Sequence, residues 1–347
     1  MKHKSSQNTS PARDSRRRGL ALSGVLSVGL FLLAVALLYH ALRDYRLQDI
    51  LHQLRQVGGP ALLAAVGLTV VKYFVLTASD ALALQHIRHP LAYHKLAFAS
   101  FVGSAFTNAA TFFGGGAARY RIYSSLGLSA RQIGEMVLFC GYTFWLGFFL
   151  VTGATFVLEP QLAVRSPLAD LPRLETPYLP APSVWITGIG CLALVGIYMA
   201  AVCLRRRPLT IRGWQLRVPS AALSAGQIAV TSIDWLLAAA VLYVLLPGQM
   251  HVPFVHFLGI FMLGQGAGMI SHVPGGLGVF ETILLYSLPG GGDAAAMTAA
   301  LLLYRLIYYI LPLLLGSLLL ALHGVLPPSR PGGEISANPT FLSDVPD

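Results

Sequence analysis

Charge is what this sequence has least of. Only 14 acidic residues occur in 347, and charged residues make up 11% of the chain against 55% hydrophobic ones. Mean hydropathy is +0.65. Soluble domains carry about a quarter charged residues, so a soluble globular protein is excluded and a polytopic membrane protein is expected. No soluble domain is left over, because the longest polar stretches are residues 1–18, 159–183 and the tail 324–347, none able to bury a core. Cysteine is also scarce. Cys140, Cys191 and Cys203 lie in or beside apolar segments, which excludes a disulfide framework or thiolate metal site and leaves them as packing residues. There is no Ser-His-Asp spacing and no GxxxxGK[ST] loop, so neither catalysis nor ATP-driven pumping by this chain is expected. No cofactor and no metal site is read. His86, His89 and His94 share one loop and are read as solvated or headgroup-level side chains. The net charge of +10 does not point to nucleic acid, since the arginines fall in short clusters beside apolar runs, as orientation signals do.

Long apolar runs are what the chain has instead. After a basic arm (1–18) the pattern predicts spans at Gly19 to Tyr39, Pro60 to Leu84 and Ile133 to Leu158, with a short interfacial helix at Ala41 to Val57. The first of these has a basic start like a signal peptide, but its length and the lack of an A-x-A-type site favour an uncleaved anchor. A proline-rich linker at 159–183 marks the midpoint between a first membrane half (19–158) and a second (184–323). The second half repeats the pattern with spans at Val184 to Leu204, Ser220 to Leu246 and Ala294 to Leu322. The tail 324–347 reads as disordered.

Each half also carries a glycine break. Asn108 to Arg121 reads NAATFFGGGAARYR, and 160 residues later Gly268 to Glu281 reads GMISHVPGGLGVFE. Gly115 and Gly116 fall on Gly275 and Gly276, and Arg121 falls on Glu281. Broken helices at matching positions of two halves point to a transport site, because they expose backbone groups that hydrocarbon cannot solvate. If both breaks re-enter on one side while six segments cross, 17 Lys and Arg lie on the cytoplasmic side and five on the other. That bias follows the positive-inside rule. Three crossings plus one re-entrant element per half make the halves inverted copies, with both termini cytoplasmic.

Charges inside the spans are the site candidates. Lys72 and Arg305 lie well inside apolar sequence, as do Asp80 and Asp234, and Glu281 lies at a segment edge. A charge at the bilayer centre costs at least about 2.5 kcal/mol, so each should face a polar cavity or a partner. Lys72 and Asp80 are two helical turns apart and share one side of their helix. A half-helix starting after Gly116 or Gly276 would aim free N–H groups at an anion. Gly114, Gly115, Gly116, Arg119 and Arg121 thus suit a phosphate. Pro274, Gly275, Gly276 and Glu281 suit a cationic headgroup or a proton, with Asp234 and Arg305 beside them. Lys72 and Asp80 supply charge balance in the cavity. The run Gly264-x-Gly266-x-Gly268 lacks any βαβ context and is read as close helix packing.

The residues FFGGGAARYRIYSSLGLS (Phe112 to Ser129), TFWLG (Thr143 to Gly147) and HVPGGLGVFE (His272 to Glu281) together resemble the membrane domain of the lysylphosphatidylglycerol synthase/flippase family. The resemblance implies an all-α inner-membrane protein that moves phosphatidylglycerol or its aminoacylated derivative between leaflets. In that family this activity lowers surface charge and gives resistance to cationic antimicrobial peptides. The chain ends at Asp347 without room for the family's soluble transferase domain, which implies the translocation half. A membrane lipid is the expected ligand, and a separate soluble transferase or a second copy of the chain are the partners left open. Two other readings remain open as well: a membrane scaffold for a lipid-modifying enzyme, and a small-solute transporter.

Overall fold

The structure is a computed structural model that describes residues 57–110, 114–161, 181–204, 209–211, 214–216, 219–248, 250–271, 278–288 and 294–325. The first apolar run, Gly19 to Tyr39, the interfacial segment up to residue 56, and the second break at Pro274, Gly275 and Gly276 lie outside the described residues.

The elements follow the apolar pattern. They are α1 (Gly59–His86), α2 (Tyr93–Ala110), α3 (Gly114–Ser125), α4 (Ala130–Leu158) and α5 (Ala181–Leu204), then a ribbon of β1 (Leu209–Ile211) and β2 (Trp214–Leu216). After these come α6 (Ala221–Tyr243), α7 (Phe254–Ile270), α8 (Val279–Ser287), α9 (Ala294–Arg305), a π-helical turn (Leu306–Ile310) and α10 (Leu311–Val325). Five helical stretches are long and apolar enough to cross a membrane: Gly59–His86, Ala130–Leu158, Pro182–Leu204, Ala221–Tyr243 and Ala296–Leu322. Their outward faces are apolar, with Leu63, Phe74, Leu138, Ile197 and Leu318 more than half exposed. The protein is an all-α polytopic membrane protein, to which the two three-residue strands add only an antiparallel turn pairing Leu209 with Leu216.

Local sequence sets the ends. Pro60 occupies the first turn of α1, where its missing N–H is not needed. Ser129 caps α4 by accepting from the Gln132 N–H, while the Gln132 side chain accepts from the Ser129 N–H. Ser220 caps α6 through the Leu223 N–H. Within the spans, the hydroxyls of Thr69, Thr77, Thr143, Thr155 and Ser232 donate to carbonyls of their own helix, so these polar residues demand no outside partner.

The order of elements recurs. A long helix, an apolar helix, a break, a short helix and a long helix run from α1 to α4 and again from α6 to α10. The starts at Gly59 and Ala221 are 162 residues apart, and those at Tyr93 and Phe254 are 161 apart. Packing recurs too. α2 folds back against α3 and α7 against α8, giving two helical hairpins; α4 packs on α7 as α10 packs on α2; and α1 crosses α6 at the centre. Hydrophobic association is weak between helices in lipid, so close approach relies on small residues. A Cβ on Gly147 of α4 would lie 2.4 Å from the Thr231 hydroxyl and 2.9 Å from its backbone carbon on α6. One on Gly153 would lie 2.9 Å from the Gly188 carbonyl of α5. A Cβ on Gly264 would lie 2.9 Å from Leu284 of α8, and one on Gly266 would lie 3.2 Å from Phe148 of α4. This agrees with the packing role read for that glycine run.

These contacts give a direct test. Gly147→Ala forces α4 from α6 and is expected to destabilise the protein by about 1–3 kcal/mol. Gly196→Ala, which meets nothing within 4 Å, is expected to leave stability unchanged. Thermal unfolding of the two variants in detergent micelles checks the contrast.

Candidate functional site

The site forms where α1 crosses α6. Lys72 of α1 is 1% exposed and Asp234 of α6 is 7% exposed, and Lys72 Nζ lies 2.8 Å from Asp234 Oδ1. The two residues are themselves 162 apart, the spacing between the starts of their helices, so the ion pair joins equivalent positions of the two halves. The ammonium also lies 4.9 Å from the centre of the Tyr308 ring and 5.8 Å from that of Tyr73, where aromatic faces help a cation stripped of water. Tyr308 comes from the π-helical turn in the last span, a geometry often found at functional positions. It stacks on Tyr304 at 4.8 Å and meets Tyr309 at 4.7 Å.

Polar groups beside this pair are incompletely satisfied. The Tyr73 hydroxyl, on a residue 7% exposed, lies beside the Asn108 amide at the end of α2, yet among the described residues neither Tyr73 Oη nor Asn108 Nδ2 makes a hydrogen bond of good geometry. Buried polar groups are normally paired, and in hydrocarbon the penalty for an unpaired one is larger than at a protein surface. Such groups gathered around a buried ion pair can accept or donate to a polar guest.

Each hairpin is held to a neighbouring span by a second ion pair. On the first, Arg119 of α3 lies 2.7 Å from Asp80 of α1 and 3.2 Å from the Ser104 hydroxyl, while Tyr123 donates to the other Asp80 oxygen at 2.8 Å. Gly103 makes room for this: a Cβ there would lie 2.8 Å from Cγ of Arg119. On the second, Glu281 of α8 pairs with Arg305 at the end of α9. The other Glu281 oxygen accepts the Gly278 N–H at 2.8 Å, closing the first turn of α8, where the backbone at φ +84° favours glycine. The acid sits on the span in the first half and on the hairpin in the second.

The candidate residues therefore separate into groups. Lys72 and Asp234 meet each other. Asp80, two turns from Lys72, meets Arg119, which the sequence alone assigns to a phosphate. Glu281 and Arg305 meet each other. Arg121 stands apart, with one guanidinium nitrogen buried and without a hydrogen-bond partner among the described residues. The helix after the first break begins at Gly114, the first residue of the triplet Gly114 to Gly116 and three residues earlier than the sequence suggests. Sequence reading missed Tyr73, Asn108, Tyr123 and the pair Gln227–Ser79 at 2.6 Å. The one available signal was the 162-residue spacing linking Lys72 to Asp234.

Removing one partner of a buried pair strands the other charge, at about 3–5 kcal/mol. Asp80→Ala and Arg119→Ala are each expected to destabilise by that order, and the double variant by clearly less than the sum. A double-mutant cycle from reversible unfolding in mixed micelles measures the coupling.

Comparisons with known proteins place this geometry. The description "Lysylphosphatidylglycerol synthase TM region" matches residues 21–316. An uncharacterized protein of Synechocystis is 38% identical over 286 residues, covering 82% of this chain and 86% of that protein. The inner membrane protein YbhN of Escherichia coli is 32% identical over 288 residues, covering 82% of this chain and 87% of that protein. A phosphatidylglycerol lysyltransferase of Staphylococcus epidermidis is 36% identical over 92 residues, covering 26% of this chain but 11% of the enzyme. With the family match running through both hairpins and four of the described spans and into the fifth, this chain belongs to the family of the lysylphosphatidylglycerol synthase transmembrane region.

Proposed function

We propose that this protein is a translocase that carries the polar headgroup of a phospholipid, phosphatidylglycerol or its aminoacylated derivative, between the leaflets of a bacterial inner membrane. The observation that carries the reading is the buried Lys72–Asp234 pair, flanked by the unsatisfied Tyr73 hydroxyl and Asn108 amide, at the crossing of two membrane spans. Ionisable groups inside a membrane mark a path for polar cargo far more often than they serve packing, because packing alone is served at lower cost by apolar residues. A zwitterionic or anionic headgroup can exchange for one half of such an ion pair, so the charges are never left bare.

The remaining residues supply the rest of the path. The free nitrogen of Arg121 and the first N–H groups of α3, at Gly114 to Gly116, suit the phosphate. Pro274, Gly275 and Gly276 are assigned the matching turn in the second hairpin. Glu281 and Arg305 anchor that hairpin and offer an acid to a cationic headgroup, while Asp80 and Arg119 hold the first hairpin. The halves 19–158 and 184–323 are read as inverted copies with both termini cytoplasmic, which accounts for the side-to-side bias of Lys and Arg. No metal or cofactor is assigned. A soluble transferase acting in trans would supply an aminoacylated lipid, and a homo-oligomer is compatible with the apolar outer faces.

The test is leaflet exchange of fluorescent phosphatidylglycerol and its lysyl derivative in proteoliposomes. Wild type is expected to accelerate exchange. Arg121→Ala is expected to lower the rate at least tenfold, as is the paired Lys72→Met/Asp234→Leu variant, which removes both charges and keeps the fold. Wild type moving neither lipid would overturn the proposal and favour a scaffold for a lipid-modifying enzyme. That reading has the partial match to a phosphatidylglycerol lysyltransferase in its support.

A further inference from the structure

Of the three acids that form ion pairs deep in the protein, two are held by more than one donor. Asp80 receives Arg119 at 2.7 Å on one oxygen and the Tyr123 hydroxyl at 2.8 Å on the other. Glu281 receives Arg305 on one oxygen and the Gly278 N–H at 2.8 Å on the other. Asp234 has Lys72 alone. The ammonium stands 2.8 Å from Oδ1 but out of line for a hydrogen bond, and no other donor among the described residues reaches the carboxylate. Charge by itself holds this pair, so whatever takes Lys72 leaves Asp234 bare.

The surroundings of Asp234 do not make up that loss. Tyr73, Tyr304 and Tyr308 lie within electrostatic range of it, with Tyr309 behind them, and phenols are uncharged at neutral pH. Trp235 sends its indole N–H the other way, to the Phe144 carbonyl at 3.4 Å. On the elements packed against α1 and α6, the deep charges are engaged elsewhere: Arg119 with Asp80, Arg305 with Glu281, Glu135 with Arg131, and Glu159 with His256. Helix α2 ends in the uncharged Asn108, with His94 and Lys95 at its opposite end, and α5 carries no charge at all.

Two headgroups therefore present this pair with different sums. A lysyl-phosphatidylglycerol headgroup brings a phosphate for Lys72 and an ammonium for Asp234, and every charge keeps a partner. Phosphatidylglycerol brings the phosphate only. Lys72, the phosphate and Asp234 would then carry a net negative charge in a low dielectric, where an unpaired carboxylate is neutralised by a proton rather than left ionised. The Asp234 side chain is 10% exposed, against 1% for Lys72 and for Asp80, so the acid is the half of the pair that a proton from water reaches.

We propose that Asp234 is a proton site coupled to the headgroup: it takes up a proton when the phosphate of phosphatidylglycerol takes Lys72 and returns it when the lipid leaves, whereas an aminoacylated headgroup supplies its own ammonium and moves no proton. The inference rests on the translocase reading for the transport of the lipid, but not for its binding. The proton comes from water, forms an O–H bond on the carboxylate and goes back to water, so the loaded site is as neutral as the empty one. Taken up on one side of the membrane and released on the other, it makes a pH difference a drive for phosphatidylglycerol and not for its aminoacylated derivative.

Isothermal titration calorimetry reads this without any transport. The full-length protein in phosphatidylcholine nanodiscs is titrated with short-chain phosphatidylglycerol and, separately, with its lysyl derivative, at neutral pH in two buffers of different ionisation enthalpy, so that the difference in heat counts protons bound. Wild type is expected to take up about one proton per bound phosphatidylglycerol and at least tenfold less per bound lysyl derivative. Asp234→Glu is expected to keep the uptake, and Asp234→Asn to bind phosphatidylglycerol and lose it. The contrast between the two lipids is read on wild type, so it stands even where Asp234→Asn does not fold. Phosphatidylglycerol that does not bind, that binds without uptake, or that takes up no more protons than the lysyl derivative would overturn the inference. So would uptake that survives in Asp234→Asn. A wild type that takes up the proton yet exchanges neither lipid in proteoliposomes keeps the inference and removes the translocase reading, and exchange without proton uptake does the reverse.

Discussion

Hydrocarbon solvates neither a charge nor an unpaired peptide group, and the arrangement of this protein follows from that constraint. Among the described residues, each ionised side chain deep in a span meets an opposite charge: Lys72 with Asp234, Asp80 with Arg119, Arg305 with Glu281. The first pair ties α1 to α6, the second ties the first hairpin to α1, and the third ties the second hairpin to the last span. One contact thus holds the crossing at the centre and the other two hold the hairpins to neighbouring spans. Ion pairs suit this role because they hold in a dry interior and yield to a guest that brings its own charge.

The halves share an architecture and differ in chemistry. Lysine faces aspartate across the centre, and the hairpins carry arginine on one side and glutamate on the other. The α6 junction is filled by Trp235, Phe144 and Phe148, and the position on α1 equivalent to Trp235 carries Tyr73. A repeat with identical halves would place like charges opposite each other at the crossing, and in a low dielectric that repulsion would part the spans. Opposite charges at equivalent positions remove the conflict.

Much of this was legible in the sequence. A span is a local property: about 20 consecutive apolar residues suffice, and α1, α4, α5, α6 and the last helix all lie where the apolar runs predict. The glycine triplet at Gly114 marked the first hairpin because a break in apolar sequence is local as well. The length of an interruption-free helix was less legible. Nothing in the apolar pattern announced the π-helical turn at Leu306–Ile310, beside which Tyr304 packs on Phe261 of α7 and Phe280 of α8.

By itself, then, the sequence determined that this is a membrane protein, where its helices run, that its two halves echo each other, and which few charges must find company. Tertiary structure decided the company. Asp80 lies two turns from Lys72 on one helix, yet Lys72 turns to Asp234 and Asp80 to Arg119, because the crossing of α1 and α6 sets which face each side chain sees. The neighbouring helices are set by small residues far along the chain, such as Gly147 of α4 against Thr231 of α6 and Gly103 of α2 beneath Arg119 of α3. Partner choice between buried charges is a property of helix faces brought together in space, and no spacing within a single helix contains it.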